Sequence, residues 1–111
     1  MKLIIAIVQD EDSGRLVSAL MDNGFSVTKL ATTGGFLRAG NTTLISGVED
    51  DKLDMALGVI EKICKSREQI TASTAPMGST AAGGVYVPYP IRVTVGGATI
   101  FVLEVSQFLK V

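Results

Sequence analysis

Lys29-Leu-Ala-Thr-Thr-Gly-Gly-Phe-Leu-Arg-Ala-Gly-Asn-Thr-Thr43 leaves one candidate strand and enters another. Between the two lie a Gly-Gly pair, a phenylalanine, an arginine and a Gly-Asn pair. A simple hairpin turn needs only one such pair. The stretch therefore joins two strands and carries more chemistry than the joining requires. Gly34 and Gly35 can present backbone N–H groups to an anion with no Cβ in the way. Phe36 offers a flat face, Arg38 a charge, and Asn41 an amide able to read a polar edge. Together these residue types outline a site for a ligand that is both phosphorylated and aromatic.

Working outward, positions 25–33 alternate, with Phe25, Val27, Leu30 and Ala31 apolar. The alternation slips at Lys29-Leu30, the mark of a bulge. Positions 41–48 read as the next strand, through Thr42, Thr43, Leu44, Ile45 and Val48. Gly47 inside it is informative, because a strand glycine weakens pairing and often marks close approach of a ligand or another backbone. Upstream, Leu3 to Val8 is a continuous apolar run and predicts a central strand. Asp12 or Ser13 can cap a helix over 12–23 whose stripe is Leu16, Val17, Leu20 and Met21, with Asn23-Gly24 as its stop. Downstream, Glu49-Asp50-Asp51 opens a second helix with carboxylates at its positive end. It carries Leu53, Leu57, Ile60 and Ile63 on one face and ends near Lys65-Ser66.

Residues 71–90 are rich in small residues and punctuation and contain no charge, which predicts a long functional loop. Ile91 to Val95 then reads as a strand, Gly96-Gly97 as a two-residue turn and Thr99 to Val105 as the returning strand. Positions 106–109 suggest a short terminal helix. The order is that of an α+β, ferredoxin-like βαββαβ sheet with an extra C-terminal hairpin strand. Residues 1–111 are expected to form a single domain, with loops at about 34–40 and 71–90. Helices on one face leave the other open. If that face carries Ile5, Ile7, Ile45 and Val102, oligomerisation would bury it.

Composition narrows the function. A chain of 111 residues, 47% hydrophobic, supports one domain with a real core. A formal net charge of −1 gives no field for long nucleic acids. Cys64 is the only cysteine and there is no histidine. A zinc or copper site is therefore not expected, and neither is a Ser-His or Cys-His pair. Asp10, Glu11 and Asp12 resemble paired acids, but adjacent residues point apart and a helix start explains them. The N-terminal apolar run ends at Gln9-Asp10-Glu11-Asp12 with no small-residue cleavage site, so a buried strand in a cytoplasmic protein is expected rather than a signal peptide or a membrane span.

The run from Ala31 to Thr43, with Met1-Lys-Leu-Ile-Ile-Ala-Ile-Val-Gln-Asp before it and Val95-Gly-Gly-Ala-Thr-Ile-Phe-Val after it, resembles the PII-like cyclic di-AMP receptor family of Gram-positive bacteria. The resemblance implies a homotrimer of ferredoxin-like subunits, a non-enzymatic PII-like signal-transduction protein. It implies a cleft between neighbouring subunits that binds the second messenger. In that reading Thr28 and the backbone at Gly35 and Phe36 contact phosphate or adenine. Phe36 and Leu37 pack on a base, Asn41 bonds an adenine edge, Gly47 lets a base approach main chain, and Arg38 is a further contact. Phe101 matches an aromatic that the neighbouring subunit contributes. Some relatives carry arginine where this chain has Ser26, so that phosphate contact is left open here, as is any contact from the C-terminal tail. No cofactor beyond the ligand cyclic di-AMP is implied, and the downstream protein target is left open.

The chemistry agrees. Backbone N–H groups and hydroxyls can hold two phosphates without a lysine cluster, and aromatic stacking contributes ~1–3 kcal/mol per base. The alternative is a PII-type regulator binding ATP and 2-oxoglutarate. A short first loop and an uncharged second one argue against it.

Overall fold

The computed structural model describes residues 1–30, 40–73 and 89–111. Gly34, Gly35, Phe36, Leu37 and Arg38 lie outside the described residues, as does the middle of the 71–90 stretch. The elements run β1 (Lys2–Gln9), α1 (Asp10–Asp22), β2 (Thr28–Leu30), β3 (Asn41–Val48), a 3₁₀ turn (Asp50–Lys52), α2 (Leu53–Cys64), β4 (Arg67–Ser73), β5 (Tyr89–Val95) and β6 (Ala98–Glu104). They form two compact units, one of Met1–Lys65 with Gly96–Val111, the other of Ser66–Val95.

The larger unit is a small α+β fold whose antiparallel sheet has strand order β2-β3-β1-β6. Alternation along β1 decides which side is core. Ile4, Ala6 and Val8 are buried, while Leu3, Ile5, Ile7 and Gln9 are only partly so. The first set packs with Leu16 and Leu20 of α1 and with Ala56, Ile60 and Cys64 of α2. Period 2 in the strand meets period 3.6 in each helix, and both apolar stripes leave water on the same side.

Helix α1 starts at Asp10, two residues earlier than the expected 12–23, and Gln9 occupies the cap position with no side-chain cap. Asp10, Glu11 and Asp12 all fall in its first turn, where the helix dipole favours carboxylates. The Ser13 hydroxyl donates to the Asp10 carbonyl at 2.9 Å instead of capping. The C-terminus closes as Asn23-Gly24 predicts. Phe25 N–H donates to Leu20 O and Gly24 N–H to Met21 O, both at 3.0 Å, with Gly24 at φ +85°. This is the Schellman arrangement, which needs a left-handed residue at Gly24. Gly24→Ala is expected to cost ~1 kcal/mol, because a Cβ is strained in that region. The space itself is open, so a modest drop in thermal midpoint without a change of fold checks it.

The last third of the chain differs from the expected topology. Residues 91–95 do not join the main sheet as its expected last ferredoxin-like strand. They belong to β5, which pairs with β4 from Arg67↔Val95 to Ser73↔Tyr89 in a separate two-stranded sheet. The fourth strand of the main sheet is β6, paired with β1 from Lys2↔Glu104 to Val8↔Ala98. Gly96 and Gly97 do have the positive φ values of a hairpin turn, +83° and +90°. They connect strands of different sheets because each strand finds a better partner elsewhere. The ends of the expected 71–90 loop, residues 71–73 and 89–90, are strands, continuing the ladder that pairs Arg67 through Ile70 with Val95 through Arg92. Pro90 is tolerated because in a two-stranded sheet both strands are edges. No terminal helix forms at 106–109.

Candidate functional site

The site begins with the sheet face that the helices leave uncovered. Register places Thr28 beside Ile45, Ile45 beside Ile5, and Ile5 beside Phe101. These residues form one row across all four strands. The next row is Leu30, Thr43, Ile7 and Thr99. On the other flank, Gly47 pairs with Leu3 and Leu3 with Leu103, while Asn41 sits opposite Gln9. Every described residue singled out from the sequence as a ligand contact therefore lies on this one face: Thr28, Asn41, Gly47 and Phe101. Val102 does not. It pairs with Ile4, so strand alternation turns it to the helix side, and Phe101 and Leu103 take the place expected for it.

Sharing a face does not make a single pocket. Neighbouring strands lie ~4.8 Å apart, so Thr28 and Phe101 are separated by about 14 Å, three strand spacings. Asn41 and Gly47 are six residues apart on β3, about 20 Å. One chain thus presents three regions. Thr28 and Gly47 lie toward one flank, Asn41 at the end where residues 31–39 depart and return, and Phe101 on the outer strand β6.

The Gly47 region has a clear signature. Its backbone is not in the left-handed region, and a Cβ added there would meet only Met1 Sδ, at 4.0 Å. Neither turn geometry nor packing within the described chain calls for glycine. Nearby, the Met1 ammonium lies 2.9 Å from Asp50 Oδ1. Its hydrogen bond holds the Asp50 carboxyl below the ordinary carboxylate range.

The Asn41 region is the most built. An open groove of about 370 Å³ is lined by Ile7, Gln9, Asn41, Gly96, Gly97, Ala98 and Thr99. Its walls are amides, a hydroxyl and glycine main chain. Gly96 N–H donates to Gln9 Oε1 at 2.7 Å, and Gly97 N–H donates to the Cys64 carbonyl. The entrance to β3 is pinned from the other side. Asp10 N–H donates to Gly40 O at 2.8 Å, and the Thr42 hydroxyl donates to Asp10 Oδ1. Sequence reading missed Gln9, Gly96, Gly97 and Thr99 as groove residues. The available signal was Gln9, a polar residue ending an otherwise apolar strand directly before a helix.

No group of three or more His, Cys, Asp or Glu residues able to hold a metal occurs among the described residues. Among them, no helix is long and apolar enough to cross a membrane. Among the described residues, the donors on the open face are neutral amides, hydroxyls and main-chain N–H groups, which can hold a polar ligand by hydrogen bonds.

Comparison with known proteins agrees with this architecture. A crystal structure of a protein of unknown function from Pediococcus pentosaceus ATCC 25745 is 42% identical and superposes with a TM-score of 0.76, over 99% of this chain and 96% of that one. The family model for the cyclic-di-AMP receptor matches residues 1–111. With the whole chain matched and its fold that of a small α+β sheet with two helices on one side, the chain belongs to the PII-like cyclic-di-AMP receptor family.

Proposed function

We propose that this chain is a non-enzymatic cytoplasmic receptor that binds cyclic di-AMP on the open sheet face, in clefts between the subunits of a homotrimer. One observation carries the reading. Thr28, Asn41, Gly47 and Phe101 share the uncovered face, yet Thr28 and Phe101 of one chain stand about 14 Å apart. A second copy packed against this face would bring its own Phe101 up to a ligand held at Thr28, Asn41 and Gly47, so that phosphate and base contacts come from different subunits. The apolar rows of this face favour such assembly. Phe101 is 52% exposed and Leu103 45%, beside the half-buried Leu3, Ile5 and Ile7.

In this reading Asn41 bonds an adenine edge, Thr28 a phosphate, and Gly47 admits a base against main chain. Gly35, Phe36, Leu37 and Arg38 complete the contact from residues 31–39. Binding is passed on to a protein partner through residues 34–40 and 71–90. Gly47→Val checks the Gly47 role separately from folding. Valine suits a strand, so the ligand-free thermal midpoint is expected to hold or rise, while cyclic di-AMP affinity falls about tenfold or more, equivalent to ~1.4 kcal/mol. Calorimetric titration with cyclic di-AMP, cyclic di-GMP, ATP and AMP in parallel tests the whole reading. Adenine presents an amine where guanine presents O6, so a strong preference for cyclic di-AMP is expected. Equal binding of cyclic di-GMP, or no binding of cyclic di-AMP, would overturn it.

A further inference from the structure

Two consecutive residues, Gln9 and Asp10, hold the ends of two separate excursions of the chain. Asp10 fixes the return of residues 31–39, through its N–H to Gly40 O at 2.8 Å and its carboxylate to the Thr42 hydroxyl. Gln9 fixes the return from Ser66–Val95, accepting from Gly96 N–H at 2.7 Å through Oε1. The second anchor is unusual because a side chain supplies it. The β1–β6 ladder stops at Val8↔Ala98, and the Gln9 amide takes the place of the next main-chain acceptor. Gly96 and Gly97 both have positive φ, and Gly97 N–H donates to the Cys64 carbonyl beside the Gly96–Gln9 bond.

Gln9 also lines the open groove, directly opposite Asn41. An amide carries two N–H donors on the same carbon as its accepting oxygen. A ligand acceptor in the groove that engaged Nε2 would fix the plane of the amide, and with it the position of Oε1 against Gly96. We propose that Gln9 is the positioning residue that couples ligand occupancy of the Asn41 groove to the Gly96–Gly97 junction, with Nε2 donating to a phosphate oxygen or ring nitrogen of the ligand. The proposal rests on the cyclic di-AMP reading of this face. It adds a residue and a route of transmission that the family resemblance does not supply.

Amide hydrogen exchange by NMR, with and without cyclic di-AMP, tests it on the wild type, Gln9→Leu and Gln9→Glu. In the wild type, ligand is expected to slow exchange at Gly96 at least tenfold. Gln9→Leu removes donor and acceptor. It is expected to bind about tenfold more weakly and, at saturating ligand, to show no ligand-dependent change at Gly96. Gln9→Glu keeps the acceptor, so Gly96 is expected to exchange as in the ligand-free wild type, with ligand affinity again reduced. It serves as the working variant if Gln9→Leu loses its cooperative melt. Wild type that binds cyclic di-AMP with no change at Gly96, or either variant that keeps the full change, would sink the coupling while leaving the receptor intact. Wild type that fails to bind would remove the receptor reading and the coupling together.

Discussion

If the proposed homotrimer forms through the open face, Ile5→Glu is expected to convert it into folded monomers and to abolish measurable cyclic di-AMP binding at the same time. Ile5 occupies the centre of the open face, flanked by Ile45 on one strand and Phe101 on the other. In a lone subunit that position is partly exposed, so a carboxylate there keeps water and the fold persists. In an assembly that buries the face, each copy would bring an unpaired charge into an apolar contact. The effective penalty is several kcal/mol per ion, enough to separate subunits at micromolar concentration. Light scattering gives the mass, circular dichroism the fold, and calorimetry the binding. A folded monomer that still binds with full affinity would place the site within one subunit and remove the cleft. An assembly that survives the substitution would mean that another surface holds it together.

Phe101→Ala is expected to lower cyclic di-AMP affinity by roughly 10- to 100-fold, in line with ~1–3 kcal/mol for stacking on one base. The ligand-free thermal midpoint should move far less, because the ring is 52% exposed in the subunit and leaves no cavity behind in the core. The separation of the two effects is the informative part. A structural role for Phe101 in the subunit predicts the reverse, a lower midpoint with affinity preserved. Phe101→Tyr, which keeps the ring, is expected to restore most of the binding. Loss in alanine with recovery in tyrosine identifies the aromatic face as the contact.

Much of the larger unit was legible because its signals are local. The strand 41–48 matched its boundaries, since its β-branched and apolar run is bounded by Gly40 on one side and an acidic helix start on the other. Asn23-Gly24 marked the end of α1 because a left-handed residue has few substitutes. The strand 91–95 was placed in the wrong sheet for a different reason. Turn chemistry at Gly96-Gly97 reports backbone dihedrals, not which strand pairs with which. Choosing between β4 and β1 as partner depends on contacts far away in sequence. Val102 was assigned to the open face for a related reason, as register sets the side and a shift of one residue reverses it. The site divided along the same line. Residue types pointed to Asn41 and Gly47, and the family resemblance supplied Thr28 and Phe101. Gln9 emerged only once Gly96 was seen bonded to it, because nothing local to Gln9 points to position 96.

The pairing of β1 with β6 carries a kinetic consequence. Strand β1 is interior to the sheet, yet its ladder partner β6 lies at the opposite end of the chain, with Lys2 bonded to Glu104 across 102 positions. Closing so large a loop is entropically costly and comes late, and topologies dominated by such long-range pairing fold slowly. During synthesis β1, α1 and β3 can associate once their residues have left the ribosome. Until β6 arrives, one edge of β1 stays bare beside Ile5 and Ile7, a template for pairing with another nascent chain. The same strand that completes the sheet also brings Phe101 to its face, so on this ordering the open face is complete only after the β1–β6 pairing has closed.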